Sequence, residues 1–221
     1  MQRLFNNWNP NSKTSSPASN PSHLSHPLTL SLLPGIYLHI PFCKQACHYC
    51  NFHFSTSLRQ KDAMVTAILT ELELRRDYLN NAEISSVYFG GGTPSLLDTK
   101  DLERIFETIH RLYQVDAAAE ITLEANPDDL SAEKLRDLRQ YTPVNRLSIG
   151  IQSFSDADLR WMNRAHHAQH ARQCLDDAGH AGFHDLTIDL IYGAPTTSDA
   201  QWQENLAIAF AYGIPHLSCY C

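Results

Sequence analysis

At 221 residues, 43% of them apolar and 19% charged, the chain has the length and balance of one soluble domain able to bury a sizeable core. A formal net charge of −7 with no Lys/Arg cluster leaves no electrostatic case for nucleic acid, and no apolar run reaches membrane-spanning length. Six cysteines, three of them crowded into one short stretch, do not make a disulfide framework, so a reducing, cytoplasmic setting is the expectation.

Residues 1–34 are rich in Ser, Asn and Pro and hold no acidic residue; the first is Asp62. Such a stretch buries too little apolar area to offset its ordering entropy, and the expectation is a disordered extension ahead of a folded domain at 35–221. Leu28 to Leu33 is too short for a secretory apolar region, and Arg3 and Lys13 are few charges for a transit peptide.

From Gly35 onward strand and helix alternate. Ile36–Ile40 reads as a strand stopped by Pro41. Met64, Ala67, Ile68, Leu72 and Leu79 recur at helical spacing over 57–79. A strand at 86–89 runs into Gly90-Gly-Gly-Thr-Pro94, and Asp98 begins a helix with Leu102, Ile105, Phe106, Ile109 and Leu112 on one face. A third strand, 120–124, ends in Ala-Asn-Pro, and Ser131 caps a helix to about Gln140. A fourth, 145–149, ends in Gly-Ile-Gln-Ser. Helical pieces at 156–162 and 167–178 precede a fifth strand, 186–191. A helix over 199–212, with Trp202, Leu206, Ala209 and Phe210 as its apolar stripe, leads to a sixth strand at 216–220. Strand, helix, strand with short connections means parallel strands. Distinctive loops at the C-terminal end of each strand point to barrel-like architecture.

Cys43, Cys47 and Cys50 form a CxxxCxxC loop directly after the first strand. A closed structural zinc site takes four protein ligands, whereas a cubane held by three cysteines keeps one iron open. On spacing alone, a disulfide with a spare thiol and zinc with a distant fourth ligand stay open beside the cluster. The triple glycine lets a ligand approach the backbone closely, or is a structural tight turn. Glu124 and Asp189, each at a strand's end, suit ribose hydroxyls or an ammonium group, and equally an ion pair. Cys174, inside a helical pattern, reads as a small buried hydrophobe. His166, His167 and His170 read as an exposed helix start, and His39 as pointing into the barrel; none is named as a haem ligand.

The words YLHIPFC, HYCNF, GGGTP, LEANP, SIGIQSF, MNRAH and DLIYG, in that order, resemble the radical S-adenosylmethionine superfamily. They are most similar to the branch containing oxygen-independent coproporphyrinogen III oxidases and the haem chaperone HemW. The resemblance implies a partial (βα)6 TIM-like barrel, here lacking its last helix and the C-terminal domain. It implies a 4Fe–4S cluster on Cys43, Cys47 and Cys50, with S-adenosylmethionine on the open iron. Gly91, Gly92 and Thr93 would receive its amino group. Glu124, Gln152, Arg164 and Asp189 would line the same cavity, with Tyr37 a cofactor-contacting aromatic and Tyr49 against the adenine or shielding the cluster. The oxidases carry CxxxCxxCxC, but here Asn51-Phe52 follow Cys50 without a fourth cysteine. The resemblance therefore points to the HemW type, binding haem as a chaperone, with an electron donor protein and a haem-acceptor protein as further partners. The oxidase, acting on a porphyrin precursor, is the alternative, and a zinc-binding module the remote one.

Overall fold

The strands alternate apolar with polar residues, and this decides which way each face of the sheet turns. The computed structural model describes residues 34–221; the disordered extension expected over 1–34 lies, Pro34 apart, outside the described residues. Six strands and six helices follow one another: β1 Gly35–Ile40, α1 Lys61–Leu74, β2 Ile84–Gly91, α2 Thr99–Leu112, β3 Val115–Ala125, α3 Ala132–Tyr141, β4 Arg146–Gln152, α4 Asp156–Trp161, α5 Ala168–His180, β5 Asp185–Ile191, α6 Asp199–Ala211 and β6 His216–Tyr220. One sheet holds all the strands in chain order, each pair of neighbours parallel. This is the α/β arrangement that the alternating pattern predicts.

Successive side chains on a strand point to opposite faces. Ile40, Phe89, Leu123, Ile149 and Ile188 are buried and pack with Leu102, Ile105 and Ile109 of α2, Leu135 and Leu138 of α3, and Leu175 of α5. Removing each such side chain from water stabilises the fold by about 2 kcal/mol. The opposite parity carries His39, Tyr88, Glu124, Ser148 and Asp189, so the sheet's other face is polar. Cys174 is buried in the same core, as expected, and burial raises its thiol to about 12.

Helix ends follow local chemistry. Asp98 Oδ1 accepts from the Asp101 amide at 3.0 Å, and Ser131 Oγ from the Lys134 amide at 3.1 Å, so α2 and α3 begin where side-chain oxygens satisfy free amides. Pro94–Leu96 forms a single 3-10 turn after Thr93, ahead of α2.

Three helix expectations need correction. α1 stops at Leu74 rather than Leu79, and the chain turns through Asn80 and Asn81, both at positive φ. Its buried face is centred on Val65 and Leu72, with Met64, Ile68 and Leu69 at its sides; Ala67 faces solvent. On α6 the buried positions are Asn205 and Ala209, and Phe210 is 66% exposed. One residue further along is about 100° further round the helix. Phe210 therefore lies at the rim while Asn205 takes the inner position, accepting from the Phe154 amide and donating to Ser153 Oγ.

Candidate metal centre and cofactor site

The cysteine loop is closed at its neck. The Cys43 amide donates to Ser55 O at 3.0 Å and the Ser55 amide to Pro41 O at 2.8 Å. Within it the Cys50 amide donates to Cys47 O. The three thiols, each partly buried and free, thus sit on a short closed loop at the C-terminal end of β1.

The glycine turn packs directly beside them. The Gly92 amide donates to Ile40 O at 2.8 Å, and Thr93 Oγ1 lies 3.6 Å from Cys43 Sγ. Thr93 accepts from Asn126 Nδ2 at 3.1 Å. Asn126 Oδ1 in turn accepts from Arg164 Nη2, which also donates to Gly150 O at 2.8 Å. Arg164 Nη1 reaches Cys47 Sγ at 3.5 Å and the Tyr49 hydroxyl at 3.2 Å. A chain of side chains from the loops after β2 and β3 and from the α4–α5 connection therefore links Cys43 to Cys47. Burial raises the Cys43 thiol, with Cys50 and Cys47 adding to the rise, while the Thr93 hydroxyl and Arg164 oppose it.

Below the thiols, Glu124 is held by two donors. Tyr88 OH donates to Oε1 at 2.8 Å and the Gly91 amide to Oε2 at 3.1 Å. Burial still raises its carboxyl, against those two bonds and His39. Asp189 is raised to about 6, first by burial and then by Glu124. Two carboxyls on strands β3 and β5 thus feel each other, which makes this region attractive to a cation. Gly90, Gly91, Gly92 and Gly150 let their neighbours pack closely: a Cβ on Gly91 would lie 2.7 Å from the His39 ring, and one on Gly150 2.8 Å from Gln152 Nε2. Gln152 adopts φ +66°, a left-handed conformation uncommon for a residue other than glycine or asparagine.

Tyr37 is 59% exposed and stacks on Tyr88 at 5.9 Å between ring centres. Its hydroxyl lies 3.3 Å from His39 Nδ1. Tyr49 instead packs its ring against Met162, Ile191 and Ala194. The site also contains residues that sequence reasoning did not select. Asn126 and Tyr88 each bridge two of the expected groups, and Lys44 pairs with Asp128 and Asp129 on the loop after β3.

One histidine reading is overturned. His166 was expected on an exposed helix start; it is 3% exposed, and its Nε2 donates to Ile151 O at 3.0 Å. Burial first, and then the Arg164 cation, lower it to about 4, so its 4.0 Å approach to Asp128 is no ion pair near neutrality. The unfolded imidazole takes up a proton near 6.5 and the folded one does not, so stability holds above pH 6.5 and declines as pH falls towards 4. Urea unfolding across that window should show wild type losing about 3 kcal/mol more than His166→Gln. Parallel curves for the two proteins would remove the effect.

A cluster fits these donors. Soft thiolates suit iron–sulfur centres. Among the described residues no three His, Cys, Asp or Glu side chains converge as ligands of a single metal ion. A cubane asks something different of three cysteines, one thiolate on each of three irons. Arg164 Nε is buried without a partner, on a guanidinium whose other nitrogens reach Cys47 and Gly150.

The pattern of the radical SAM superfamily matches residues 37–209. The chain belongs to the radical SAM superfamily. It is 36% identical over 189 residues to the haem chaperone HemW of Escherichia coli, covering 84% of this chain and 50% of that protein. The Bacillus subtilis HemW is 32% identical over 190 residues, covering 85% and 50%. Among solved structures it resembles the coproporphyrinogen III oxidase HemN of Escherichia coli, a radical SAM enzyme, with TM-score 0.77 and 29% identity over 85% of this chain and 44% of that one. The chain spans about half the length of the curated relatives it matches. As in that oxidase, the parallel sheet is the radical SAM barrel, here in the part that the chain covers. The superfamily implies a 4Fe–4S cluster and S-adenosylmethionine. No helix among the described residues is long and apolar enough to cross a membrane.

Proposed function

We propose that this chain is the radical SAM core of a HemW-type haem chaperone, working in the cytoplasm. The carrying observation is the end of the cysteine motif: Cys50-Asn51-Phe52 stands where the related oxidases have a fourth cysteine. Similarity to HemW proteins supports the same reading. Cys43, Cys47 and Cys50 hold the 4Fe–4S cluster. Gly91, Gly92 and Thr93 receive the amino group of S-adenosylmethionine. Glu124 and Asp189 offer negative charge to its cationic groups, and Arg164 joins the thiol loop to Asn126 and Gly150. Gln152, Tyr37 and Tyr49 border the same space. When bound, the cluster supplies one-electron reduction of the sulfonium, or in a HemW-type protein a centre that supports haem binding. The chain's own work is to orient the cofactor and limit access of water and oxygen. Haem, an electron donor protein and a haem-acceptor protein are the partners of this reading.

Anaerobic reconstitution with iron and sulfide tests it. The wild-type chain should turn brown and bind about four irons, and Cys43→Ala should lose the colour. Stoichiometric zinc without colour would defeat the cluster. A second reading, oxygen-independent coproporphyrinogen III oxidase, is favoured by the likeness to HemN. Haem titration beside a coproporphyrinogen turnover assay on the full-length protein separates the two: saturable haem binding without turnover supports the chaperone.

A further inference from the structure

The end of α4 grips the cysteine loop. The Arg164 amide donates to Leu159 O at 2.9 Å and the Asn163 amide to Arg160 O at 3.1 Å, which is the paired bonding of a Schellman helix stop. Asn163 occupies the left-handed position of that stop, at φ +57°. Glycine adopts this conformation without a Cβ penalty, so an asparagine here is intelligible through its amide. That amide is engaged: Asn163 Nδ2 donates to Ala46 O at 2.7 Å. In return Gln45 Nε2 donates to Asn163 O. Two further bonds join the same segments, the His48 amide to Met162 O at 3.1 Å and His48 Nδ1 to Trp161 O at 2.9 Å. The loop's other flank is tied by Lys44, whose Nζ donates to Asp128 O at 3.1 Å.

We infer that Asn163 is a positioning residue that latches the cysteine loop in its cluster-receiving shape, acting through Gln45 and Ala46 rather than by touching the cluster. The inference rests on the cluster reading for its purpose, though the latch itself is built entirely from protein groups. Two properties of the residue are separable. Its tolerance of a left-handed backbone ends α4; its side-chain N–H holds Ala46. Asn163→Gly keeps the first and removes the second. Asn163→Asp keeps the size and replaces the donor with an acceptor facing a carbonyl.

Hydrogen exchange of the metal-free full chain reads the latch without any cluster. In Asn163→Gly the His48 and Cys50 amides should exchange about tenfold faster, the scale of one lost hydrogen bond, while the global unfolding midpoint stays where it was. Asn163→Asp should exceed that acceleration. In reconstituted protein, iron release to a chelator should quicken by a similar factor, and Gln45→Ala should add its own increment to Asn163→Gly, because Gln45 Nε2 bonds the carbonyl of residue 163, which glycine retains. Unchanged exchange at His48 and Cys50 in both variants overturns the latch. So does acceleration spread evenly over the chain, which marks a general defect. If the wild-type chain takes up no cluster, the functional reading falls, while the exchange result still decides the latch.

Discussion

Gly92→Ala should give a protein destabilised by about 3 kcal/mol that no longer binds S-adenosylmethionine measurably. The cause is backbone, not side chain. An added Cβ would lie 2.6 Å from Phe42 O, 2.9 Å from Phe42 N and 3.0 Å from Ile40 O. No rotamer change relieves contacts with three main-chain atoms, so the glycine turn and the start of the cysteine loop must separate. The Gly92 amide then loses its bond to Ile40 O, and Thr93 moves from Cys43. Urea unfolding and calorimetric titration of the cofactor measure the two losses. A variant as stable as wild type that binds the cofactor normally would show that the close packing of these loops is dispensable.

Arg164→Met should remove a similar amount, about 3 kcal/mol, and reduce iron uptake several-fold. Asn126 Oδ1, Gly150 O and the Tyr49 hydroxyl all take their hydrogen bonds from this one guanidinium, whose two branches point to different loops. Methionine fills much of the volume but leaves those oxygens partly buried without a donor. Arg164→Lys should recover only part, because a point charge cannot serve both branches of a planar fork. Iron content after reconstitution and the unfolding midpoint are the readouts. Retention of both in Arg164→Met would mean that the network merely accompanies the site.

Much of this was legible because the chemistry stands at strand ends. The cysteines, the glycine run, Glu124 and Asp189 each lie at or near the C-terminal end of a strand, and consecutive parallel strands bring those ends together. The lateral bonds were not legible. Asn126 looks like one residue of a proline turn, and only the β2–β3 and β3–β4 neighbour relations set it between Thr93 and Arg164. Tyr88 had a usable signal. Parallel strands covered on both faces run continuously apolar, whereas Ile121-Thr-Leu-Glu124 and Leu186-Thr-Ile-Asp189 alternate, which marks one face as polar. Tyr88 falls on that face. His166 misled because three histidines in five residues read as a wet surface. Its burial depends on an irregular register between Ile149 and Gln152, near which Ile151 O accepts from both the Ser153 amide and His166. A break in a strand ladder has no single-residue signature.

Arg164 lies 117 positions after the thiol that it neighbours. During synthesis Cys43, Cys47 and Cys50 therefore emerge on the order of ten seconds before the guanidinium and Asn163 that later enclose them. Throughout that interval the nascent polypeptide carries three bare, mutually close sulfhydryls. Assembly of that enclosure is therefore a late event in the chain's synthesis, because three strands separate the cysteine loop from the groups that brace it.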